Sequence, residues 1–257
     1  MKLNPDQIAT EEVTQWQGLH LFHYQMSSCS QKVRILLGEL GVEFQSHHID
    51  LRREEQKSAW YTGINPNGVV PTLVHNGDVH IESNDIIQYI NAEFASPEKS
   101  LLPQDTSARQ QMQTLLDLED RLHTDLRTVT FTYLAPDIHG GPNLDDTTLA
   151  YIGRFHDAFC KLDKILQQQA YLSGPEMTLT DISWFITLHR LSLARYPLHK
   201  HAALQAYYQK LAGRPAFKTQ VASGPLLLRC AGVIYRNLRR LKKSLAVDFQ
   251  KWAAQNA

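Results

Sequence analysis

Three short groups of polar residues have types and spacing that suit work on a small charged ligand. The first is Ser27-Ser28-Cys29-Ser30, which lies between an apolar run and a segment of helical periodicity. The start of a helix offers unpaired backbone N–H groups and the positive end of the helix dipole, and both favour an anion or a thiolate. Serine hydroxyls there can donate to a thiolate, and Cys29 could instead ionise itself and exchange disulfides. The same residues also fit an ordinary serine cap followed by a small packing cysteine.

The second group is Val70-Pro71, inside a run that otherwise predicts a strand. Proline is expected in such a run only at a sheet edge or after a cis bond. A cis bond would turn the N–H and C=O of the Val70 residue outward, where an extended peptide could pair with them. A simple edge-strand proline is the alternative.

The third group is Glu82-Ser83, at the predicted start of another helix. Ser83 with its backbone N–H can bind a carboxylate, and Glu82 can accept a hydrogen bond from an ammonium group. A γ-glutamyl amino acid carries both groups. Taken alone, the pair also fits an ordinary cap with an acidic residue in the first turn.

The elements that must position these groups follow the order βαβ-ββα. Leu19–His23 predicts a strand, Ser28 to Leu40 a helix ended by Gly41, and Phe44–Ile49 a second strand. Two short strands joined at Asn76-Gly77 come next, followed by a helix that runs to Phe94. This is the order of a thioredoxin-like domain. We therefore predict an α/β plus all-α protein with four parts: an extension at 1–17, a thioredoxin-like domain at 18–95, a proline-containing linker at 96–107 and a helical domain at 108–257.

The helical domain is predicted from apolar periodicity, and its last part, about 226–257, is basic. From Leu226 to the C-terminus there are seven Lys or Arg residues and one acid, Asp248. The apolar residues of this tail share one helix face and four basic residues take the other: Ile234, Leu238, Leu241, Leu245, Phe249 and Trp252 against Arg236, Arg239, Arg240 and Lys243. The apolar face either packs on the body of the protein or lies on an anionic membrane surface.

Composition excludes several other classes of protein. The 26 basic and 26 acidic residues balance, which gives no overall field for nucleic acid. Three separated cysteines are not a disulfide framework, the polar N-terminus is not a signal peptide, and no apolar run would span a membrane, so we expect a reducing cytoplasmic setting. His47-His48 and the pair His199 and His201 lack cysteine or carboxylate partners at ligand spacing, so no metal site is predicted. Cys160 and Cys230 are predicted to be packing residues.

Taken together, SSCSQKVR, NPNGVVPTL and ESNDIIQYI resemble the glutathione transferase family over nearly the whole chain. The first motif is similar to the Ser-Ser-Cys signature of the zeta class, which includes maleylacetoacetate isomerases, and to that of tetrachlorohydroquinone dehalogenases. Thr178-Leu179-Thr180-Asp181 resembles the capping box that opens a helix in the second domain of the family. At the place where a zeta-class isomerase carries an arginine for its dicarboxylate substrate, this chain has Leu193, with Arg190 and Arg195 nearby. The surrounding Leu188-His189-Arg190-Leu191 is more similar to the dehalogenases.

The resemblance implies a role for each matching residue. Ser27 would activate the glutathione thiolate, Cys29 would serve isomerase or dehalogenase chemistry, and Ser28 would support both. The backbone of Val70, before Pro71, would pair with the cysteinyl residue of glutathione. Glu82 and Ser83 would hold its γ-glutamyl end, and Gln56 with Lys57 its glycyl carboxylate. Tyr24 is a rival donor to the thiolate, and Tyr24 and Arg190 are candidate residues of the substrate pocket.

Three functions follow from the resemblance. The first is transfer of glutathione, as its thiolate, to a small electrophile held by the helical domain. The second is reductive dehalogenation or isomerisation that depends on Cys29. The third is a non-catalytic protein of the same fold, either membrane-associated or an interaction module. The resemblance also implies a homodimer, glutathione as co-substrate and no metal.

Overall fold

The computed structural model describes residues 1–134, 146–222 and 245–256. The chain divides into two compact units, Met1–Leu101 and Leu102–Ala257. The first is mixed α/β and the second is helical, so the predicted fold class is confirmed.

Unit 1 is built on a four-stranded sheet with the strand order β2-β1-β3-β4. Strand β1 pairs with β2 in parallel and with β3 in antiparallel, and β3 pairs with β4 in antiparallel. The elements of unit 1 are β1 (Leu19–His23), α1 (Ser28–Leu40), β2 (Gln45–His48), α2 (Ala59–Thr62), β3 (Thr72–His75), β4 (Asp78–His80) and α3 (Ser83–Phe94). The predicted βαβ-ββα order is therefore observed, with the short helix α2 added between β2 and β3.

The chain reverses where the sequence offers residues that tolerate a left-handed backbone. Gly41 ends α1 with φ of 72°, a conformation that costs glycine little because it has no Cβ. Asn76 and Gly77 join β3 to β4 with φ of 49° and 86°, as a two-residue hairpin of the predicted kind requires. A Cβ at Gly77 would lie only 2.1 Å from the carbonyl oxygen of Thr14, so the glycine also allows a close approach of the preceding chain.

The residues that precede β1 pack onto this sheet. The Leu3 amide donates to the Val79 carbonyl oxygen at 2.8 Å, which adds a short pairing beside β4. Leu3, Ile8 and Val13 are buried in the same apolar cluster as Phe22 and Val74. Residues 1–17 thus contribute to the core of unit 1 and cover the edge of its last strand.

Unit 2 contains only helices among its described residues. They are α4 (Thr106–Leu134), α5 (Asp146–Leu166), α6 (Leu179–Leu193), α7 (Ala202–Ala212), α8 (Pro215–Ala222) and α9 (Leu245–Gln255). Helix α6 is buried on nearly all sides and packs on α4. Two of its polar side chains hydrogen-bond to α4: Ser183 and Thr187 donate to the two oxygens of the Glu119 carboxylate at 2.9 and 2.8 Å.

The described end of the basic tail is α9. Leu245 and Phe249 of its predicted apolar face are buried, and the ring of Trp252 lies against Gly153 of α5. The Tyr133 hydroxyl donates to Asp248 at 2.9 Å. For this part of the tail, the packing alternative is therefore the observed one. The other apolar positions, the four basic residues of the opposite face and Cys230 lie outside the described residues.

None of the helices in the described part of the chain has the length and apolar character needed to cross a membrane.

Candidate functional site

The topology of unit 1 brings the three polar groups to one edge of the sheet. Strand β4 runs parallel to β1, because each is antiparallel to β3. Helices α1 and α3 therefore both begin at the edge where β1 and β4 end, and β3 begins at that same edge directly after Val70-Pro71. Strand β2 ends there too, since it is parallel to β1 and the Ile49 amide donates to the His23 carbonyl oxygen at 2.9 Å.

Ser27 is the N-cap of α1 and is partly exposed. Its Oγ accepts a hydrogen bond from the Ser30 amide at 3.2 Å, and its carbonyl oxygen accepts from the Gln31 amide at 3.0 Å. Capping uses the oxygen of the hydroxyl and leaves its hydrogen available. Within the described ranges no acceptor takes that hydrogen, so Ser27 can cap the helix and donate to a ligand at the same time.

Ser28 and Cys29 form the first turn of α1 and are both partly exposed. Cys29 carries a thiol rather than a disulfide. Its place in the first turn puts it in the part of the helix where the dipole favours a thiolate.

Tyr24 lies between β1 and this turn, and its backbone is tied to α1. Its carbonyl oxygen accepts from the Ser27 amide at 3.0 Å and its amide donates to the Ser30 hydroxyl at 3.4 Å. Desolvation raises the pKa of the Tyr24 phenol, which keeps the hydroxyl protonated at neutral pH. It therefore stays a chemically competent rival to Ser27 as a thiolate donor.

The Val70-Pro71 bond is cis. The segment before it is fixed by buried side chains: the Tyr61 hydroxyl and the Asn65 amide group both donate to the Val69 carbonyl oxygen, at 2.7 and 3.0 Å. Among the described residues, no group hydrogen-bonds to the backbone N–H or C=O of Val70. These groups fit the predicted pairing with an extended peptide.

Glu82 and Ser83 stand at the start of α3. Glu82 is the N-cap and adopts φ of 65°, a conformation that is uncommon for a residue with a side chain. Its carboxylate is exposed and accepts from the Asn67 side chain at 3.3 Å. Ser83 is buried and is the first residue of the helix, where backbone N–H groups lack intrahelical partners. An acceptor for an ammonium group and donors for a carboxylate therefore lie side by side.

Two basic residues of α1, which the sequence motifs did not mark as functional, support this edge. Lys32 is fully buried and its Nζ lies 3.5 Å from Oδ1 of Asn84, in the first turn of α3. Arg34 donates to Nδ1 of His23 at 2.9 Å and to the Gln25 carbonyl oxygen at 3.0 Å. Both residues belong to the motif SSCSQKVR, on a helix that packs on α3. The two basic residues in this motif were the sequence feature from which their role could have been found.

Gln56 and Lys57 belong to a short 3₁₀ helix, Glu55–Lys57, that follows β2. The Gln56 Oε1 atom is buried without a hydrogen-bond partner in the described structure, which leaves an acceptor unsatisfied. The Lys57 ammonium is exposed and forms an ion pair with Glu54.

Arg190 belongs to unit 2. It lies in the last turn of α6 and is 7% exposed. Nine of the predicted residues and Tyr24 thus belong to unit 1, and Arg190 belongs to unit 2.

The comparisons with known proteins agree with this arrangement. The glutathione S-transferase N-terminal domain model matches residues 26–93, and the C-terminal domain model matches residues 108–210. Together the two matches cover most of both units. The chain belongs to the glutathione S-transferase family.

Curated relatives match over most of their length. "Glutathione S-transferase 3" of Zea mays is 29% identical, over 81% of this chain and 95% of the relative. "Probable maleylacetoacetate isomerase" of Caenorhabditis elegans is also 29% identical, over 77% and 90%. Among solved structures, glutathione S-transferase III in its apo form superposes with a TM-score of 0.71 at 26% identity, over 81% of this chain and 98% of that one.

Proposed function

We propose that this protein is a glutathione transferase that binds glutathione at the edge formed by Ser27, Val70 and Glu82-Ser83. The observation that carries the proposal is the convergence, at one edge of the sheet, of two helix starts and the cis Val70-Pro71 segment, where the Val70 backbone has no hydrogen-bond partner among the described residues. In this placement, Ser27 contacts the sulfur of glutathione and the Val70 backbone pairs with its cysteinyl residue. Glu82 and Ser83 hold the γ-glutamyl end. Family membership and the zeta-like Ser-Ser-Cys motif support the same ligand.

The chemistry assigned to the site is thiolate activation. The Ser27 hydroxyl donates to the glutathione sulfur, and the start of α1 adds the positive end of its dipole. Both favour the thiolate, so the thiol loses its proton to solvent near neutral pH. The thiolate sulfur then forms a bond to carbon of the electrophile, whose leaving group departs with the bonding electron pair.

The binding step is tested by calorimetry with glutathione on the full chain. We expect micromolar to low-millimolar affinity, weakened at least tenfold by Glu82→Ala or Ser83→Ala, since each removes one contact to the γ-glutamyl end. Glu93→Ala is the matched control, because Glu93 is an exposed acid near the far end of the same helix. An affinity unchanged by the two site variants would reject this placement of the ligand.

The chemical step is tested by separate Ser27→Ala and Cys29→Ala variants. We expect Ser27→Ala to raise the pKa of the bound glutathione thiol and to lower transferase activity about 100-fold at neutral pH, the usual effect of losing one donor to a developing anion. Cys29→Ala should leave transfer largely intact. Thiolate ultraviolet absorbance across pH gives the pKa directly, and an unchanged value in Ser27→Ala would move the donor role to Tyr24.

A second candidate function is chemistry that depends on the Cys29 thiol. The partly exposed place of Cys29 in the first turn of α1 favours it, as does the similarity to a relative named a probable maleylacetoacetate isomerase. Activity in isomerisation or reductive dehalogenation that is lost in Cys29→Ala but retained in Ser27→Ala would establish this function instead.

We propose a homodimer in a reducing, cytoplasmic setting, to be checked by light scattering on the purified chain. A peripheral membrane role for the basic tail would require the full chain, but not a 1–225 truncation, to co-sediment with anionic vesicles. If the full chain stays in the supernatant, the membrane role is rejected.

A further inference from the structure

Unit 2 contains a cluster of metal-ligating side chains that takes no part in the glutathione chemistry. His156 and Cys160 lie one turn apart on α5, and His201 stands directly before α7. One ligand atom from each of the three lies within 4.8 Å of those of the other two. No cysteine lies at ligand spacing from His201 in the sequence, because the thiol partner is supplied by another helix.

The spacing inside the cluster fits a tetrahedral zinc ion. His156 Nε2 lies 3.6 Å from Cys160 Sγ. Bond lengths of about 2.0 Å to nitrogen and 2.3 Å to sulfur, at a tetrahedral angle, place the two ligand atoms about 3.5 Å apart. The two ligand atoms on α5 are therefore already at the separation of two zinc ligands, and a ligand atom of His201 lies within 4.8 Å of both residues' ligand atoms.

Tyr196 orients both imidazole rings. Its hydroxyl lies 2.8 Å from Nδ1 of His156 and 2.9 Å from Nε2 of His201. The bond at Nδ1 leaves Nε2 of His156 directed at the sulfur. Histidine ligands of zinc are commonly held in this way, by a hydrogen bond at the nitrogen that does not bind the metal.

Aromatic side chains of α9 lie beside the cluster. The rings of Phe249 and Trp252 on α9 lie 5.1 and 5.2 Å from that of His156 and form an apolar wall.

We propose that His156, Cys160 and His201 form a zinc site, with water as the fourth ligand. Zn²⁺ replaces the proton of the Cys160 thiol, which passes to solvent, and takes one nitrogen from each neutral histidine. Two imidazoles and one thiolate suit Zn²⁺ better than Mg²⁺ or Ca²⁺, which prefer oxygen ligands. The bound ion would tie α5 to the start of α7. The alternative is a hydrogen-bonded packing cluster of two histidines and a tyrosine.

Cobalt substitution distinguishes a metal site from a packing cluster. The full chain without a histidine tag is stripped with a chelator and titrated with Co²⁺. We expect one equivalent to give intense tetrahedral d–d bands and a thiolate-to-cobalt charge-transfer band, and excess Zn²⁺ to abolish both. Cys160→Ser should remove the charge-transfer band, and Tyr196→Phe should weaken binding about 10- to 100-fold. Cys29→Ser and His199→Gln are the matched controls, since they change the other described thiol and an exposed neighbouring histidine.

An octahedral spectrum without charge transfer, or a charge-transfer band that survives Cys160→Ser, overturns the proposal. A second measurement uses only the wild-type chain, so it does not depend on the folding of a variant. Stoichiometric Zn²⁺ should slow alkylation of Cys160 at least tenfold in the wild-type chain, as followed by peptide mass spectrometry, while Cys29 serves as an internal reference. Equal alkylation of Cys160 with and without Zn²⁺ assigns the cluster to packing alone.

Discussion

Glu82 holds a left-handed backbone, φ of 65°, at the N-cap of α3, although such a conformation favours glycine. Its side chain is exposed and, among the described residues, accepts a hydrogen bond from the Asn67 side chain at 3.3 Å. The fold therefore gains little from a glutamate here, while a ligand with an ammonium group gains an acceptor. Strain of this kind is common where a backbone is fixed for binding.

Replacing Glu82 should separate stability from binding. We expect Glu82→Gly to raise the free energy of unfolding of unit 1 by about 1 kcal/mol, because glycine adopts this φ without strain. The same change should weaken glutathione binding at least tenfold. Glu82→Gln, which keeps the backbone strain and loses the charge, should weaken binding without the gain in stability. Thermal unfolding and calorimetry on both variants test this, and a destabilised Glu82→Gly would show that the side chain serves the fold.

Individual residues were predictable where their role is local. Ser27 caps α1, Asn76-Gly77 forms the hairpin and Thr178 with Asp181 forms the capping box, because each depends on neighbours within a few positions. The contacts of Lys32 and His201 were not predicted, because their partners lie on other helices, α3 and α5. Spacing along a chain does not report which helices later pack together.

At the scale of elements, α6 depends on one carboxylate. Asp181 is fully buried and accepts four hydrogen bonds: from the Thr178 amide and hydroxyl at 2.6 and 3.0 Å, from the Leu172 amide at 3.0 Å and from the Tyr207 hydroxyl at 2.6 Å. Burial raises its pKa, and these hydrogen bonds act against that shift. The residue thus joins the start of α6 to α7 and to the loop before the helix.

We expect Asp181→Ala to cost unit 2 about 3–5 kcal/mol, because it leaves buried donors from three residues unsatisfied. Asp181→Asn should cost less, since it keeps one carbonyl acceptor. Asp117→Ala, on the exposed face of α4, should stay within about 0.5 kcal/mol of wild type. Denaturant unfolding gives all three values. An Asp181→Ala loss no larger than that of the Asp117 variant would contradict the role given to this carboxylate.

The predicted boundaries of helices and strands lie close to the observed ones, because apolar periodicity and capping residues coincide in this chain. The helix Ser28 to Leu40 and the strand Leu19–His23 were predicted as observed, and α6 begins at its capping box. The packing of residues 1–17 was not foreseen. Leu3, Ile8 and Val13 are too widely spaced to show a helical or strand period, and their burial depends on the sheet they cover.

At the scale of the whole molecule, buried neutral histidines couple stability to pH. Burial, together with nearby positive groups, lowers the pKa of His23, His80 and His189 to about 4. His23 shows the structural reason: Nδ1 accepts from Arg34, so the remaining ring hydrogen is on Nε2, which faces the Ser46 hydroxyl at 2.7 Å. A proton on Nδ1 would place two donors against each other.

The unfolded chain therefore binds more protons than the native one between pH 6.5 and 4, so stability is present above pH 6.5 and falls as pH is lowered through this window. Each buried histidine contributes a slope of up to about 1.4 kcal/mol per pH unit. In His23→Gln, the amide oxygen can still accept from Arg34 and the N–H₂ group can donate to Ser46, but nothing titrates. We expect the midpoint of thermal unfolding to fall between pH 7 and 5, and to fall less steeply in this variant. An identical pH slope in the two proteins would mean that His23 is not held neutral by its surroundings.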